Sequence, residues 1–289
     1  MRFQILLFPL CLFFYSNAQN CDSLYAEKVF EANGFRTNIL NNGELFIKDG
    51  EPYFFHDFQG VDRPNVSNFY KAGIWLGGVD PGGNLKVAAT PTERDREFTD
   101  FAPGPLNPET GKPYEDIPCH YFNRIWEVTA EEIRDHIADI KDNGILDNPI
   151  PNIMNWPGKG NKNVEVHSGL TFELPDRAYP FAPFWDEDGD GLYNPHRGDY
   201  PALERRGIFI PEKLFWTVFN DVTQHPITNT TPLGLEIHLT GWSIDCNGNE
   251  SIDNTLFLQY QIANLSKEGI YNGKFGFYSD FTLGCEEDD

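Results

Sequence analysis

The stretch that decides the fold is residues 235–242, LEIHLTGW, which a polar turn separates from residues 256–262, LFLQYQI. Apolar and polar side chains alternate in both segments, so that Leu235, Ile237 and Leu239 share one face. Alternation with a period of two is typical of a strand that buries one face. The two segments therefore predict an antiparallel hairpin with one buried face.

Further segments predict strands on both sides of this hairpin. Residues 72–79 and 85–90 flank the turn sequence DPGGN, whose proline and glycines favour a tight reversal of the chain. Residues 214–219 and 274–281 are rich in aromatic side chains and also predict strands. We expect Trp75, in the first of these segments, to lie in the core. Many strands and long turns predict a mainly β fold, either an antiparallel β-sandwich or a β-rich α+β module.

One amphipathic helix is predicted after Thr129. Thr129 and Glu132 have the spacing of a capping box, isoleucines then repeat on one face, and Gly144 is a stop signal. We expect this helix to lie on a sheet, with His136 at the rim of the apolar stripe rather than in a catalytic role.

Residues 147–183 are rich in proline, glycine and asparagine. This composition predicts a loop without regular elements. Trp156 lies within it, and a lone tryptophan in such a loop more often fills a gap than stacks on a sugar.

Composition and the N-terminus indicate an exported protein. The 289 residues include 44 acidic and 22 basic side chains, for a net charge of -22, which disfavours binding to nucleic acid or to anionic membranes. Residues 1–18 carry Arg2, an apolar run and small residues before a cleavage site, and they predict a signal peptide. No second long apolar run follows, so residues 19–289 are expected to form one β-rich extracellular module without a membrane span.

Four cysteines follow the predicted cleavage site, and none belongs to a C-x-x-C pair, which disfavours zinc. An exported chain with an even number of cysteines can form two disulfides, and three connectivities are open. Buried free thiols are the alternative. The candidates are Cys21, Cys119, Cys246 and Cys285.

The motif with the most specific chemistry is residues 186–194, DEDGDGLYN. Carboxylates at its first, third and fifth positions converge when the chain curls around a cation, and hard oxygen ligands favour calcium. The twelfth position of a calcium-binding EF-hand loop holds glutamate, but here it holds Arg197, so we expect Asp199 to replace it. The alternative is a solvated acidic turn. The predicted calcium ligands are Asp186, Asp188, Asp190, the carbonyl of Leu192, Asn194 and Asp199.

Two other acidic turns are weaker candidates for metal binding. The turn that begins at Asp245 has oxygen ligands at alternate positions, but such residues usually serve turn geometry. Asp280 and the acidic residues 286–289 could gather a cation or form a solvated tail.

Motifs for catalysis are absent from the sequence: there is no G-x-S-x-G, no H-E-x-x-H and no phosphate-binding glycine loop. A non-enzymatic role is therefore favoured. The alternative is a secreted carbohydrate-binding module or glycoside hydrolase, because tryptophans commonly stack on sugars. The six tryptophans are Trp75, Trp126, Trp156, Trp185, Trp216 and Trp242.

Several segments resemble the N-terminal modules of secreted bacterial surface proteins that use the type IX secretion pathway, many of which carry a gliding-motility-associated C-terminal domain. The segments are AGIWLGGVD (72–80), PGPL (103–106), RIW (124–126), DNPIP (147–151), NWPG (155–158), GDYP (198–201) and VFND (218–221). The resemblance implies a secreted or cell-surface location and a structural or adhesive role. Its implied partners are surface or matrix components, with glycans as an open alternative. The sequence stops at Asp289 without that C-terminal domain, so we expect either a fragment of a longer protein or a different export route.

Overall fold

The computed structural model describes residues 25–32, 34–56, 67–94, 98–115, 117, 119–162, 164–167, 170–203, 209–246 and 250–282. Their strands are β1 (Glu27–Ala32), β2 (Phe35–Leu40), β3 (Glu44–Leu45), β4 (Ile47–Lys48), β5 (Glu51–Pro52), β6 (Phe54–His56), β7 (Phe69–Val79), β8 (Leu85–Ala89), β9 (Ala102–Pro103), β10 (Leu106–Asn107), β11 (Lys112–Pro113), β12 (Trp126–Thr129), β13 (Val164–His167), β14 (Leu170–Phe172), β15 (Phe184–Trp185), β16 (Tyr200–Pro201), β17 (Lys213–Asn220), β18 (Leu235–Ser243), β19 (Phe257–Asn264) and β20 (Tyr271–Phe281). Their helices are α1 (Ala130–Asn143), α2 (Pro151–Met154) and α3 (Glu250–Asp253), and Cys119–Tyr121 and Pro195–Arg197 form 3-10 turns.

The first sheet is antiparallel and has the strand order β1-β2-β3-β7-β20, with β6 paired to β2 and β8 paired to β7. The predicted hairpin of residues 72–79 and 85–90 is confirmed as β7 and β8. Its turn is held by the Asp80 carboxylate, which accepts a hydrogen bond from the Asn84 backbone N–H at 2.9 Å. Gly83 has a φ of 85°, a left-handed conformation that glycine adopts without strain.

The second sheet is also antiparallel, with the order β12-β17-β18-β19 and β9 paired to β17. One edge of this sheet is the hairpin predicted from residues 235–242 and 256–262. These residues form β18 and β19, whose pairing runs from Leu235 opposite Asn264 to Trp242 opposite Phe257. The predicted mainly β, sandwich-like fold is confirmed.

Two hydrophobic cores lie on opposite faces of the second sheet. Ile237 and Leu239 of β18 belong to the first core, together with Ile39 and Ile74 of the first sheet. The second core contains Trp216 of β17 and residues of α1 and α2. The molecule is therefore a β-sandwich with an additional layer of helices and loops on the second sheet.

This extra layer corrects the expectation that the hairpin buries only one face. In β18 the polar residues that alternate with Leu235, Ile237 and Leu239 are also buried. Glu236 and His238 are 0% exposed and Thr240 is 2% exposed. The alternation correctly predicted which face of β18 points to the first core. It could not predict that the opposite, polar face is also buried, because other polar groups cover that face. One such group is Arg177, whose guanidinium donates to both Glu236 carboxylate oxygens at 2.5 and 3.0 Å.

The predicted helix is confirmed as α1. The Thr129 hydroxyl accepts from the Glu132 N–H at 3.2 Å, and the Glu132 carboxylate accepts from the Thr129 N–H at 2.8 Å, which completes the capping box. Gly144 ends the helix with a φ of 81°. The rim position expected for His136 is wrong, because this side chain is 0% exposed. The reason is that loop residues pack against the side of α1 that the isoleucine pattern leaves polar.

The expectation of an irregular segment over residues 147–183 is wrong in part. The segment contains α2, which begins with a proline at its first turn, and the short pair of strands β13 and β14. Elements this short carry little periodicity in the sequence. The gap-filling role of Trp156 is confirmed: its side chain is 0% exposed, and its indole N–H donates to the Pro183 carbonyl at 2.9 Å.

Candidate metal centre

The acidic motif forms a loop that is closed at its base. β15 and β16 pair antiparallel on either side of it, with Trp185 opposite Tyr200. Within the loop, Tyr193 is buried in the second core, and its hydroxyl donates to the Ile153 carbonyl at 2.6 Å. A side chain at Gly158 would clash with this ring, because a Cβ atom there would lie 2.5 Å from Tyr193 Cγ. The loop is thus anchored at both ends and in its middle.

Three carboxylates of the loop converge. One oxygen each of Asp186, Asp188 and Asp199 lies within 4.8 Å of the other two. The chain reaches this arrangement through Gly189 and Gly191, which have φ values of 73° and 81°. Of the predicted ligands, these three are therefore brought together.

Backbone hydrogen bonds orient the carboxylates. Asp186 accepts from the N–H groups of Gly189 and Gly191, each at 2.8 Å. Asp199 accepts from those of Glu187 at 2.8 Å and Asn194 at 2.7 Å. Because each of these two carboxylates is held by two backbone groups, the positions of Asp186 and Asp199 do not depend on flexible side-chain partners.

Burial and like charge act together on Asp199. Its side chain is 0% exposed, and burial raises its pKa, with the nearby charges of Asp186 and Asp188 acting in the same direction. The two backbone hydrogen bonds oppose the rise. A cation among the three carboxylates would relieve this electrostatic stress.

Arg197, at the position where an EF-hand loop has glutamate, contacts the cluster. Its guanidinium donates to an Asp188 carboxylate oxygen at 2.7 Å and lies 3.8 Å from an oxygen of Asp190. This hydrogen bond is the largest contribution to the lowered pKa of Asp188. The Arg197 side chain is 60% exposed, so it can leave without disturbing buried contacts.

Two of the other predicted ligands, Asp190 and Asn194, have other partners in this conformation. Asp190 accepts a hydrogen bond from the Leu192 N–H at 2.7 Å and is outside the converging group. The Asn194 side-chain oxygen accepts from the His196 N–H at 3.2 Å and so caps the 3-10 turn. The Leu192 side chain is exposed.

His136 is a neighbour of the loop that sequence reasoning did not connect to it. It lies on α1 against the backbone of Asp199, and neither ring nitrogen has a side-chain or backbone partner of good hydrogen-bond geometry among the described residues. Burial lowers the pKa of His136, which the Asp199 backbone and the Asp139 carboxylate offset only in part. The position of this histidine between Ile133 and Ile137 was the available signal.

The two weaker acidic turns have other bonding. The Cys246 N–H donates to the Asp253 carboxylate at 2.6 Å in the turn that follows Asp245. Asp280 forms a bidentate pair with Arg94, at 2.9 and 3.2 Å. Residues 247–249 and 283–289 lie outside the described residues, as does the predicted signal peptide.

The disulfide candidates are only partly described. Cys246 is exposed and has no disulfide partner among the residues that the structure describes. Cys21, Cys285 and the side chain of Cys119 lie outside the described residues. The predicted disulfides therefore remain predictions.

The tryptophans differ in burial, and Trp185 and Trp242 are partly buried. Trp126, Trp156 and Trp216 are buried, whereas Trp75 is 41% exposed, so the expected core position of Trp75 is wrong. The Trp75 ring is nearly parallel to that of Tyr278 on the next strand, at 7° with centroids 5.6 Å apart. The strand residue opposite Trp75 is Gly276, which has no side chain to cover the indole.

A shallow acidic depression lies on the exposed side of α1. Asp135, Asp139 and Asp142 line it together with Asn148. Asp139 is saturated by loop donors, since it accepts from the Asp147 N–H at 2.7 Å and from the Asn148 side chain at 2.7 Å. The Asn148 side chain is also the largest cause of the lowered pKa of Asp139. This carboxylate therefore ties the end of the helix to the next loop and is poorly suited to act as a general acid.

Comparison with known proteins gives no match: no family model, no curated protein and no solved structure is similar to this chain. Among the described residues, no helix combines the length and the apolar character that crossing a membrane requires.

Proposed function

We propose that the chain is a calcium-stabilised extracellular module with a structural or adhesive role in a secreted or cell-surface protein. The observation that carries the proposal is the convergence of Asp186, Asp188 and Asp199 in a loop with the residue spacing of a calcium site.

The choice of calcium follows from the ligands. The three converging groups are all carboxylates, which are hard oxygen donors, and the group contains no cysteine or histidine that would favour zinc. Magnesium demands a tighter octahedral shell than calcium. To complete an octahedral shell with protein oxygens, Asp190 and Asn194 would have to leave their present partners. Calcium has a more flexible coordination number, and the site therefore favours calcium over magnesium.

The proposed role of calcium is to hold together the layer that covers the second sheet. Asp186 and Asp199 stand at the two ends of the loop, next to β15 and β16, so one ion bound to both joins the ends. Behind the loop, Gly198 lies close to α1: a Cβ atom added at Gly198 would be 3.7 Å from Ile140 Cγ2. Calcium would thus stabilise the contact between loop and helix as well as the loop itself.

The structural or adhesive role rests on the predicted signal peptide and on the resemblance to modules of type IX secretion substrates. The polar groups that most resemble a catalytic arrangement, Glu236 with His238 at 2.6 Å and Arg177, are fully buried. A substrate could not reach them, which favours a stabilising role over catalysis.

A chelator experiment tests the proposal. Thermal unfolding of residues 19–289 is followed in EDTA and in calcium, since an ion that binds only the folded state adds RT ln(1 + [L]/Kd), or about 2.7 kcal/mol at 100 times Kd. We expect Asp188→Asn to weaken the response and Asp245→Asn to leave it unchanged. A melting temperature that is the same in EDTA and in calcium would contradict the proposal and would indicate that the loop is a solvated acidic turn.

The second candidate function is glycan binding, and the exposed Trp75 beside Tyr278 favours it. Parallel aromatic rings on a sheet surface can stack on sugar rings, although such pairs across strands also stabilise sheets. A glycan array with the unmodified chain and with Trp75→Ala distinguishes the two roles. Glycan binding that Trp75→Ala abolishes would support the glycan-binding function. If no glycan binds the unmodified chain, this function is ruled out.

A further inference from the structure

The sandwich is open along one side, where β19 and β20 are edge strands. Within the described part of the chain, β19 pairs only with β18 and β20 only with β7. Tyr260 of β19 packs against Phe275 and Phe277 of β20, with ring centroids 5.6 and 6.4 Å apart. The side chains of the two edge strands are therefore in contact, while the outer backbone edge of each strand is unpaired among the described residues. We call the exposed apolar residues along this contact the open seam.

The open seam exposes side chains that strand alternation directs inward. Phe275 and Phe277 stand opposite Leu76 and Ile74 of β7, both of which are buried in the first core. Nevertheless Phe275 is 50% exposed and Phe277 is 44% exposed. The exposed members of the seam are Ile262, Phe275, Phe277 and Phe281.

The size of the seam suits an interface. Aromatic side chains bury about 150 to 250 Å² each, so these half-exposed residues leave roughly 400 Å² of apolar surface in water. Two copies that meet through the seam would remove roughly 800 Å² of apolar surface, and the backbones of the paired edges bring the total to the roughly 1,000 Å² that specific interfaces need.

The sequence of β20 is complementary to itself. When two copies of this strand pair antiparallel about a two-fold axis at Phe277, Lys274 of each copy lies opposite Asp280 of the other. Lys274 is exposed and has no ion pair among the described residues, while Asp280 already holds Arg94. The same register places Tyr278 opposite Gly276, where a ring can cover a position without a side chain.

We propose that a second copy of this chain closes the open seam, through antiparallel pairing of the two β20 strands centred on Phe277. An unpaired edge of eleven residues without proline is the kind of surface on which another strand adds. The net charge of each copy opposes association at long range, but salt at about 0.15 M screens charges beyond about 8 Å. The contact is independent of the calcium loop, so either proposal can fail without the other.

Sedimentation velocity of residues 19–289 tests the proposal, in calcium and at about 0.15 M NaCl. The unmodified chain should form a dimer that dissociates on dilution. In a dimer of Lys274→Glu chains, two like-charged pairs form, because the new carboxylate of each copy lies opposite Asp280 of the other. We expect this variant to raise the dissociation constant about tenfold. The matched control, Lys267→Glu, makes the same charge change at an exposed residue outside β20 and should leave dimerisation unchanged.

A mixing experiment tests the register. Asp280→Lys alone also places like charges opposite each other, but a mixture of Lys274→Glu chains with Asp280→Lys chains restores opposite charges at both positions. We expect the mixture to dimerise more tightly than either variant alone. Circular dichroism checks that Asp280→Lys folds without its Arg94 pair, and if it does not, the comparison of Lys274→Glu with Lys267→Glu decides alone.

Two results would overturn the proposal. One is an unmodified chain that stays monomeric at about 50 µM, well above the micromolar affinity expected of such an interface. The other is a dimer that Lys274→Glu and Lys267→Glu weaken equally, because association would then not use this register.

Discussion

Glu44 makes the stability of the sandwich depend on pH. This residue of β3 is 6% exposed, and burial raises its pKa from 4.5 to about 7, against the opposing effects of Lys71 and an Asn42 hydrogen bond. A carboxyl group with a raised pKa stabilises the folded state at pH values below the unfolded pKa, where it is protonated. That stability is lost as the pH rises through the folded pKa.

The expected size follows from the two pKa values. A difference of one pKa unit corresponds to about 1.4 kcal/mol, so the change from 4.5 to about 7 predicts that the free energy of unfolding falls by about 3 kcal/mol between pH 4 and pH 8. Glu44→Gln keeps the shape of the protonated side chain and cannot ionise. We therefore expect the variant to match the unmodified chain near pH 4 and to exceed it by about 3 kcal/mol at pH 8.

Urea unfolding followed by tryptophan fluorescence measures this difference, with saturating calcium at every pH so that metal binding stays constant. Glu51→Gln, which removes an exposed carboxylate nearby in the chain, is the control and should follow the unmodified protein. If Glu44→Gln and the unmodified chain lose stability in parallel between pH 5 and pH 8, the reasoning from the burial of Glu44 is refuted.

Three further predictions concern the helix, the loop and the thiols. Thr129→Ala removes the hydroxyl that accepts from the Glu132 N–H but keeps the backbone N–H that donates to the Glu132 carboxylate. We expect the free energy of unfolding, measured by urea titration, to fall by about 1 kcal/mol, and an unchanged midpoint would contradict the role of the cap. Arg197→Gln should tighten calcium binding, because Arg197 competes for Asp188, and a weaker affinity in calorimetry would show that the arginine supports the site. Alkylation of the native oxidised chain should modify no thiol, because we expect Cys21, Cys119, Cys246 and Cys285 to form two disulfides on export, and four modified thiols in mass analysis would contradict this.

The sequence predicted those parts of the fold in which one physical signal dominates. The alternation in residues 235–242 predicted the hairpin of β18 and β19, and the capping box at Thr129 predicted the first residue of α1. Both signals are local, because each depends on side chains within one element or one turn.

The errors arose where tertiary contacts outweigh local pattern. His136 and Glu236 are polar and were expected at the surface or on a solvated face, yet a loop and a buried arginine cover them. Trp75 was expected inside, but it faces outward opposite a glycine. No periodicity in a single sequence reports which outer face of a sheet a distant loop will cover.

The acidic loop of residues 186–199 shows the same division. The spacing of Asp186 and Asp188 identified the turn, and the structure brings Asp199 close to them, whereas its role as a replacement for the missing glutamate stays a prediction. The competing contacts of Asp190, Asn194 and Arg197 depend on side-chain geometry, which spacing alone does not determine.

Calorimetric titration of residues 19–289 with calcium tests the central claim most directly. We predict one calcium ion bound per chain, strong weakening of binding in Asp199→Asn, and binding in Asp245→Asn equal to that of the unmodified chain. Magnesium should bind more weakly than calcium at the same site. A chain that releases no heat with calcium, or a loss of binding that is equal in Asp199→Asn and Asp245→Asn, would contradict a calcium site at this loop.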